Sequence, residues 1–192
     1  MLLLKATFDE VLARVRQGRD LGHASFEPVY YLIFHPRQIL EVKRELPAWT
    51  HRLGNEGWDV QRFSMTEHVA AILGTAPLRT LWLTADRKAP LDWDKPNKAL
   101  ANALTTGTDT LQGRLKAQLE QLRAHPTAIM LVTDLEALHP YTRIGAIESQ
   151  LYGSFVVPTI FLYPGERTGK TRLKFLGFYP EDGNYRSVHV GG

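Results

Sequence analysis

Gly165-Glu-Arg-Thr-Gly169-Lys170-Thr171 is the segment of this sequence that most resembles phosphate-binding chemistry. In a phosphate loop, backbone N–H groups cradle the phosphates and a lysine reaches the terminal ones. Here three residues separate the glycines, where the motif requires four. The context differs too. A phosphate loop feeds the N-terminus of a helix, whereas Arg172-Leu-Lys-Phe-Leu176 alternates like a strand. The segment therefore reads as a hairpin turn. The turn Phe34-His35-Pro36-Arg37 has no glycine, and no G-x-G-x-x-G occurs anywhere, which argues against a dinucleotide site.

Asp134 stands at the predicted carboxyl end of a strand, with Glu136 close by. A nucleotide hydrolase places its magnesium-binding carboxylate at such a point. An aspartate there also caps a turn or short helix, and no phosphate loop accompanies it. His35, His125 and His139 each precede a proline. Residues before proline avoid helical backbone, so these pairs read as element boundaries. No H-E-x-x-H spacing suggests a metal. Ser25, Ser64, Ser149, Ser154 and Ser187 lack a nucleophile-elbow setting, and the absence of cysteine removes thiol catalysis. The residues assign no catalytic group, cofactor or metal.

Any site must be positioned by the elements around it. Phe8, Val11, Leu12 and Val15 mark one face of a helix over Thr7–Gln17, with Thr7 and Glu10 as a capping box and Gly18 as its stop. Val29–Phe34 is a continuous apolar run, typical of a strand covered on both faces. Pro36 suits a first helical turn. Ile39, Val42, Leu46, Trp49 and Leu53 then share a helix face, which Pro47 should kink or split. Trp58–Phe63, Ala128–Thr133 and Val156–Tyr163 read as further strands. Helices are expected near Glu67–Leu73, around Leu111–Leu122 with an interruption from Gly107 and Gly113, and over Tyr141–Leu151. Thr80–Ala85 fits helix or strand, and Lys88–Asn97 reads as a loop. Pro164 and Gly165 should turn the chain into an antiparallel edge strand, Arg172–Leu176, followed by a turn-rich tail. The expected architecture is an α/β fold: an open, mostly parallel sheet of about four or five strands, Rossmann-like in the broad sense, with helices on both faces and a C-terminal antiparallel hairpin. Its length of 192 residues suits one domain over 1–192.

The net charge is +3, and no apolar run suits a membrane span or a signal peptide. With no cysteine, a reducing cytoplasm fits. Two basic clusters stand out: Arg37, Lys43, Arg44 and Arg52, and then Arg167, Lys170, Arg172 and Lys174. They could meet nucleic acid, although Glu41 and Glu45 interleave with the first. Phe175, Phe178, Tyr179 and Tyr185, with Arg172 and Arg186, crowd the C-terminal region. They form a candidate interface or a cover for the end of the core.

Four ordered blocks carry a family resemblance. They are Phe26–Phe63, Val132-Thr133-Asp134 leading to Leu138-His139-Pro140, Val157 to Tyr163-Pro164-Gly165, and Gly183-Asn184-Tyr185-Arg186. The chain resembles the BrxB-like family of bacterial BREX phage-exclusion systems from about Thr7 to about Arg186. The family pattern has two consecutive tyrosines in the last block, where this sequence has only Tyr185. The resemblance implies a small, essential component of systems that block phage replication and mark host DNA by methylation. It implies a cytoplasmic binding subunit without established enzymatic activity, paired with PglZ, a larger subunit with an alkaline-phosphatase-like domain. A homodimer, and DNA contact as part of a larger complex, are compatible with it. Asp134, His139, Pro140, Tyr163, Pro164, Gly165 and Asn184 are family-motif positions of unknown role. A degenerate phosphate-loop-like nucleotide domain and a DNA-binding accessory module remain alternatives.

Overall fold

The computed structural model describes residues 2–21, 27–169, 172–183 and 187–192 of the chain. Helix α1, Leu2–Leu21, buries Leu4, Phe8, Val11, Leu12 and Val15 along one stripe. It begins earlier than the sequence predicts, so Thr7 lies inside it. The Thr7 hydroxyl donates to the Leu3 carbonyl at 2.9 Å instead of capping the helix, and Gly18 does not stop it.

Strand β1, Val29–Phe34, is buried at every position. A 3-10 turn, Pro36–Gln38, then leads into helix α2, Ile39–Asn55. The expected split at Pro47 does not occur. Proline removes one helix hydrogen bond and costs about 3 kcal/mol. Burying Trp49 and Leu53 (4% and 0% exposed) returns roughly 1.5–3 kcal/mol per side chain, enough to hold the helix continuous. Strand β2 is Asp59–Ser64. Helices α3 to α6 follow: Met65–Thr75, Arg79–Lys88, Asp94–Thr105 and Leu111–Leu122. The segment read as a loop, Lys88–Asn97, is therefore half helix. The expected interruption falls at Gly107, between α5 and α6.

Strand β3 is Ala128–Thr133, α7 is Ile144–Gln150, and β4 is Thr159–Thr168. Pro164 and Gly165 do not turn the chain. They lie within β4, with Phe34 opposite Pro164 and Phe175 opposite Gly165. Strand β5, Arg172–Phe175, pairs antiparallel with the end of β4, as expected of a C-terminal hairpin. Strand β6, Val188–Gly191, comes from the tail read as turns and pairs parallel with β1.

The result is an open six-stranded sheet, ordered β2-β3-β4-β1-β6, with β5 added beside β4. All pairings but β4–β5 are parallel. Alternating side chains of one strand enter opposite cores. Tyr30, Leu32 and Phe34 meet α1 and α2, where Phe8 and Trp49 stack at 4.4 Å. Tyr31 and Ile33 join the core formed with α3, α5, α6 and α7. Among the described residues, no helix is long and apolar enough to cross a membrane.

Candidate functional site

Parallel strands bring their carboxyl ends to one edge, and Asp134 follows β3 there. Its backbone is left-handed (φ 60°, ψ 38°), a conformation that aspartate tolerates better than most residues. The Ser64 hydroxyl at the end of β2 and the Thr133 hydroxyl each donate to Asp134 Oδ2 at 2.7 Å. Lys43 Nζ on α2 lies 3.0 Å from Oδ1 and 2.7 Å from Glu136. Burial opposes ionisation of Asp134, but hydrogen bonds from Ser64, Thr133 and Lys43 outweigh it and hold its pKa below the usual value. Burial also works against the Lys43 charge, and Glu136 with Asp134 outweigh that too, raising its pKa.

This carboxylate therefore works inside the molecule. Ser64 and Thr133 are buried hydroxyls, 3% and 2% exposed, and such groups need partners. Ser64 Oγ also accepts from the Glu67 N–H, capping α3. Asp134 itself makes no side-chain cap to the turn that follows it; it acts through the cap of another helix. The cavity beside it, lined by Phe34, Val42, Lys43 and Leu162 among others, is about 20 Å³. That is room for about one water.

Two residues of the first basic cluster are engaged within the chain. Lys43 is committed to Asp134 and Glu136, and Arg52 pairs with Asp9 and with Glu56 at 3.4 Å. In the second, Arg172 pairs with Glu181 at 3.4 Å, and Arg167 Nε donates to the Gly169 carbonyl. Lys170 lies outside the described residues, as do Asn184, Tyr185 and Arg186.

A second grouping forms where the C-terminal hairpin meets the segment after β3. Leu176 (φ 53°) and Gly177 (φ 75°) are both left-handed and reverse the chain beyond β5. Tyr179 thereby reaches His139, whose Nδ1 shares a hydrogen bond with the tyrosine hydroxyl. The His139–Pro140 peptide is cis. Rings continue from the core outward. Tyr163 packs on Phe175 at 5.6 Å, Phe175 on Tyr179 at 5.5 Å, and Tyr179 stacks on Phe178 at 4.8 Å. The Arg143 guanidinium sits 5.7 Å from the Tyr179 ring centre. Burial raises the Tyr179 pKa, with Arg143 opposing.

Of the two expectations for the C-terminal aromatics, Phe175 fits the cover of the core: it is 1% exposed, and the family-motif position Tyr163 is buried beside it. Tyr179 is half-buried, and Phe178 is 62% exposed. The family-motif positions His139 and Tyr163 thus frame the base on which Phe178 stands.

A half-buried carboxylate escaped the sequence reading. The Tyr31 hydroxyl donates to Glu148 on α7. Burial pushes the Glu148 carboxyl up to about 7, with Tyr31 opposing. His189 on β6 meets the Tyr31 ring edge-on at 5.4 Å, and burial, then Arg167, lower its pKa to about 4. The signal was present in α7. Glu148 falls in the stripe of Ile144, Ile147 and Leu151, where a carboxylate is out of place.

Among the described residues, no group of three His, Asp or Glu side chains is placed to hold a metal. Fold and site together define an open α/β sheet protein whose sheet-end acid is bonded to Ser64, Thr133 and Lys43 and which exposes Phe178 on an aromatic base. Comparison with protein-family models matches residues 83–190 to BREX protein BrxB. The chain belongs to this family and so is a component of a BREX system. The match takes in Asp134, His139, Phe178 and Tyr179, while the Phe26–Phe63 block precedes it. No curated protein and no solved structure matches the chain.

Proposed function

We propose that this BREX component is a non-enzymatic adaptor, a binding subunit that associates with the PglZ component of its system. One observation carries the reading: Phe178 is held out to solvent on a base of Tyr179, His139 and the buried Phe175. Partner binding concentrates on aromatic and arginine anchors whose positions are fixed beforehand, because little freedom is then lost on association. Arg143 and Arg172 stand within the same region. The acid that could have supported hydrolysis is meanwhile saturated by Ser64, Thr133 and Lys43. Residues 1–192 would act as one domain, because both core clusters share the central strands, and its place would be the cytoplasm, which suits a chain without cysteine.

The test is co-purification with the PglZ-type protein of the same BREX system, with the complex mass read by light scattering. A stable complex is expected. Phe178→Ala should weaken it about tenfold or more and leave the melting temperature unchanged. Absence of a complex at micromolar concentration would sink the reading.

A further inference from the structure

Helix α7 joins the Phe178 surface to the interior of the sheet. It is short, Ile144–Gln150, and buries Ile144 and Ile147. A helix of about two turns is marginal by itself, so its place depends on what else holds it. Polar contacts do so along its length. Arg143, at its N-cap, lies over the Tyr179 ring on which Phe178 stacks. Glu148 accepts from the Tyr31 hydroxyl on β1. Beyond the C-terminus of α7, the Gly153 N–H donates to Glu27, just ahead of β1.

The contact at Glu148 sets a carboxyl among other charges. Glu27 lies close enough to oppose a negative charge there, as does Asp182, which a backbone bridge to Leu173 fixes beside β5. Burial opposes that charge most strongly, and the Tyr31 bond favours it; the balance raises the carboxyl to about 7. From the other strands, Tyr163 of β4 and His189 of β6 meet the Tyr31 ring at 5.7 and 5.4 Å. His189 carries no charge near neutrality, because burial, then Arg167, lower it to about 4. The buried face of α6 is leucine throughout: Leu111, Leu115, Leu119 and Leu122.

We propose that α7 is a proton-operated latch on the partner surface. With Glu148 neutral, the helix stays seated on Tyr31, and Arg143 stays on Tyr179. With Glu148 ionised beside Glu27 and Asp182, the carboxylate is better placed in water than in the interior. Helix α7 then loosens from the sheet, and Arg143 leaves the ring that supports Phe178. An anchor no longer fixed beforehand loses more freedom on association, so partner affinity falls. Opening one short element takes less free energy than unfolding the domain. The proposal rests on the reading of this chain as an adaptor bound through Phe178 and adds regulation of that same surface.

The experiment uses the full chain and the purified PglZ-type protein of the same BREX system. Affinity is titrated calorimetrically at about pH 6 and about pH 8, on either side of the Glu148 value. Wild type is compared with Glu148→Gln, which keeps an acceptor for Tyr31 and has no carboxyl to titrate. Amide exchange of Ile144–Gln150, corrected for its intrinsic rate, is followed in the free chain under both conditions. Wild type is expected to bind about threefold or more weakly at the higher pH, within the limit of about tenfold per pH unit for one proton. Its α7 amides should exchange faster there. Glu148→Gln should bind alike at both, with α7 protected at both. A dependence as steep in Glu148→Gln as in wild type overturns the latch and leaves the adaptor reading intact. So does a wild-type affinity that does not fall. Wild-type α7 exchange that ignores pH overturns it too, without reference to any variant. Absence of a complex at both pH values overturns both readings.

Discussion

Two half-buried groups respond to pH in opposite directions. Glu148 keeps its proton in the folded state up to about 7, above its ordinary value of 4.5. Between those values the unfolded chain has released the proton and the folded chain has not. Stability contributed by Glu148 is therefore present at low pH and is lost as pH rises through that window. His189 titrates at about 4 when folded, below its ordinary 6.5. Its contribution is present above 6.5 and is lost as pH falls towards 4. In the wild type the two slopes offset each other. Glu148→Gln should leave the histidine term, so stability rises with pH between about 4 and 6.5. His189→Gln should leave the glutamate term, so stability falls between about 4.5 and 7. Each slope is at most about 1.4 kcal/mol per pH unit. Urea denaturation across this range measures both. Curves parallel to wild type in both variants would refute the assignment. Glu148 was legible in principle, as a carboxylate within an apolar helix stripe. Its partner Tyr31 was not, being 117 residues away.

Strand β4 is where two kinds of pairing meet. Its first half lies parallel to β1 and β3, and its second half pairs antiparallel with β5. Gly165 stands at the change. A Cβ there would come within 2.5 Å of the Lys174 carbonyl oxygen and of the Tyr163 ring. The ring is itself packed on Phe175, so neither neighbour can move away. Gly165→Ala should cost about 1–3 kcal/mol. At Gly54, where nothing lies within 4 Å, the same change should be neutral or stabilising by up to about 1 kcal/mol. Equilibrium denaturation of the pair compares them, and an equal response would refute the packing account. The sequence reading placed a turn at Pro164–Gly165 because both residues favour turns. The glycine is needed for close approach instead, which depends on a strand that follows it. Strand β6 was missed for a related reason. Val188-His-Val-Gly191 is short, with only two apolar side chains, and it becomes a strand by pairing with β1.

For the whole molecule, charge and space bear on the remaining ligand classes. A magnesium–nucleotide complex needs a free carboxylate and a cradle for phosphates. Asp134 is engaged at both oxygens, and the cavity beside it is about 20 Å³. Millimolar Mg-ATP should therefore leave the melting temperature unchanged. A rise abolished by Asp134→Ala would restore the nucleotide reading. DNA contact at the two basic clusters would draw in part on residues already paired with carboxylates. Lys43, Arg52 and Arg172 have internal partners, so the two basic clusters offer fewer free charges than the sequence count suggests.

By itself, the sequence determined the α/β class, β1 and β3 over Val29–Phe34 and Ala128–Thr133, the buried faces of α1, α2 and α6, the β4–β5 hairpin and the family. These are local properties: a strand covered on both sides must be apolar throughout, and a packed helix must repeat near 3.6 residues. Only the tertiary structure decided what the acids, histidines and aromatics do. Ser64 is 70 residues from Asp134, and His139 is 40 from Tyr179. A carboxylate becomes structural, and an aromatic becomes core or surface, according to neighbours that the chain supplies only by folding. Phe175 and Phe178 show this most directly: three positions apart, with the same side chain, one is 1% exposed and the other 62%.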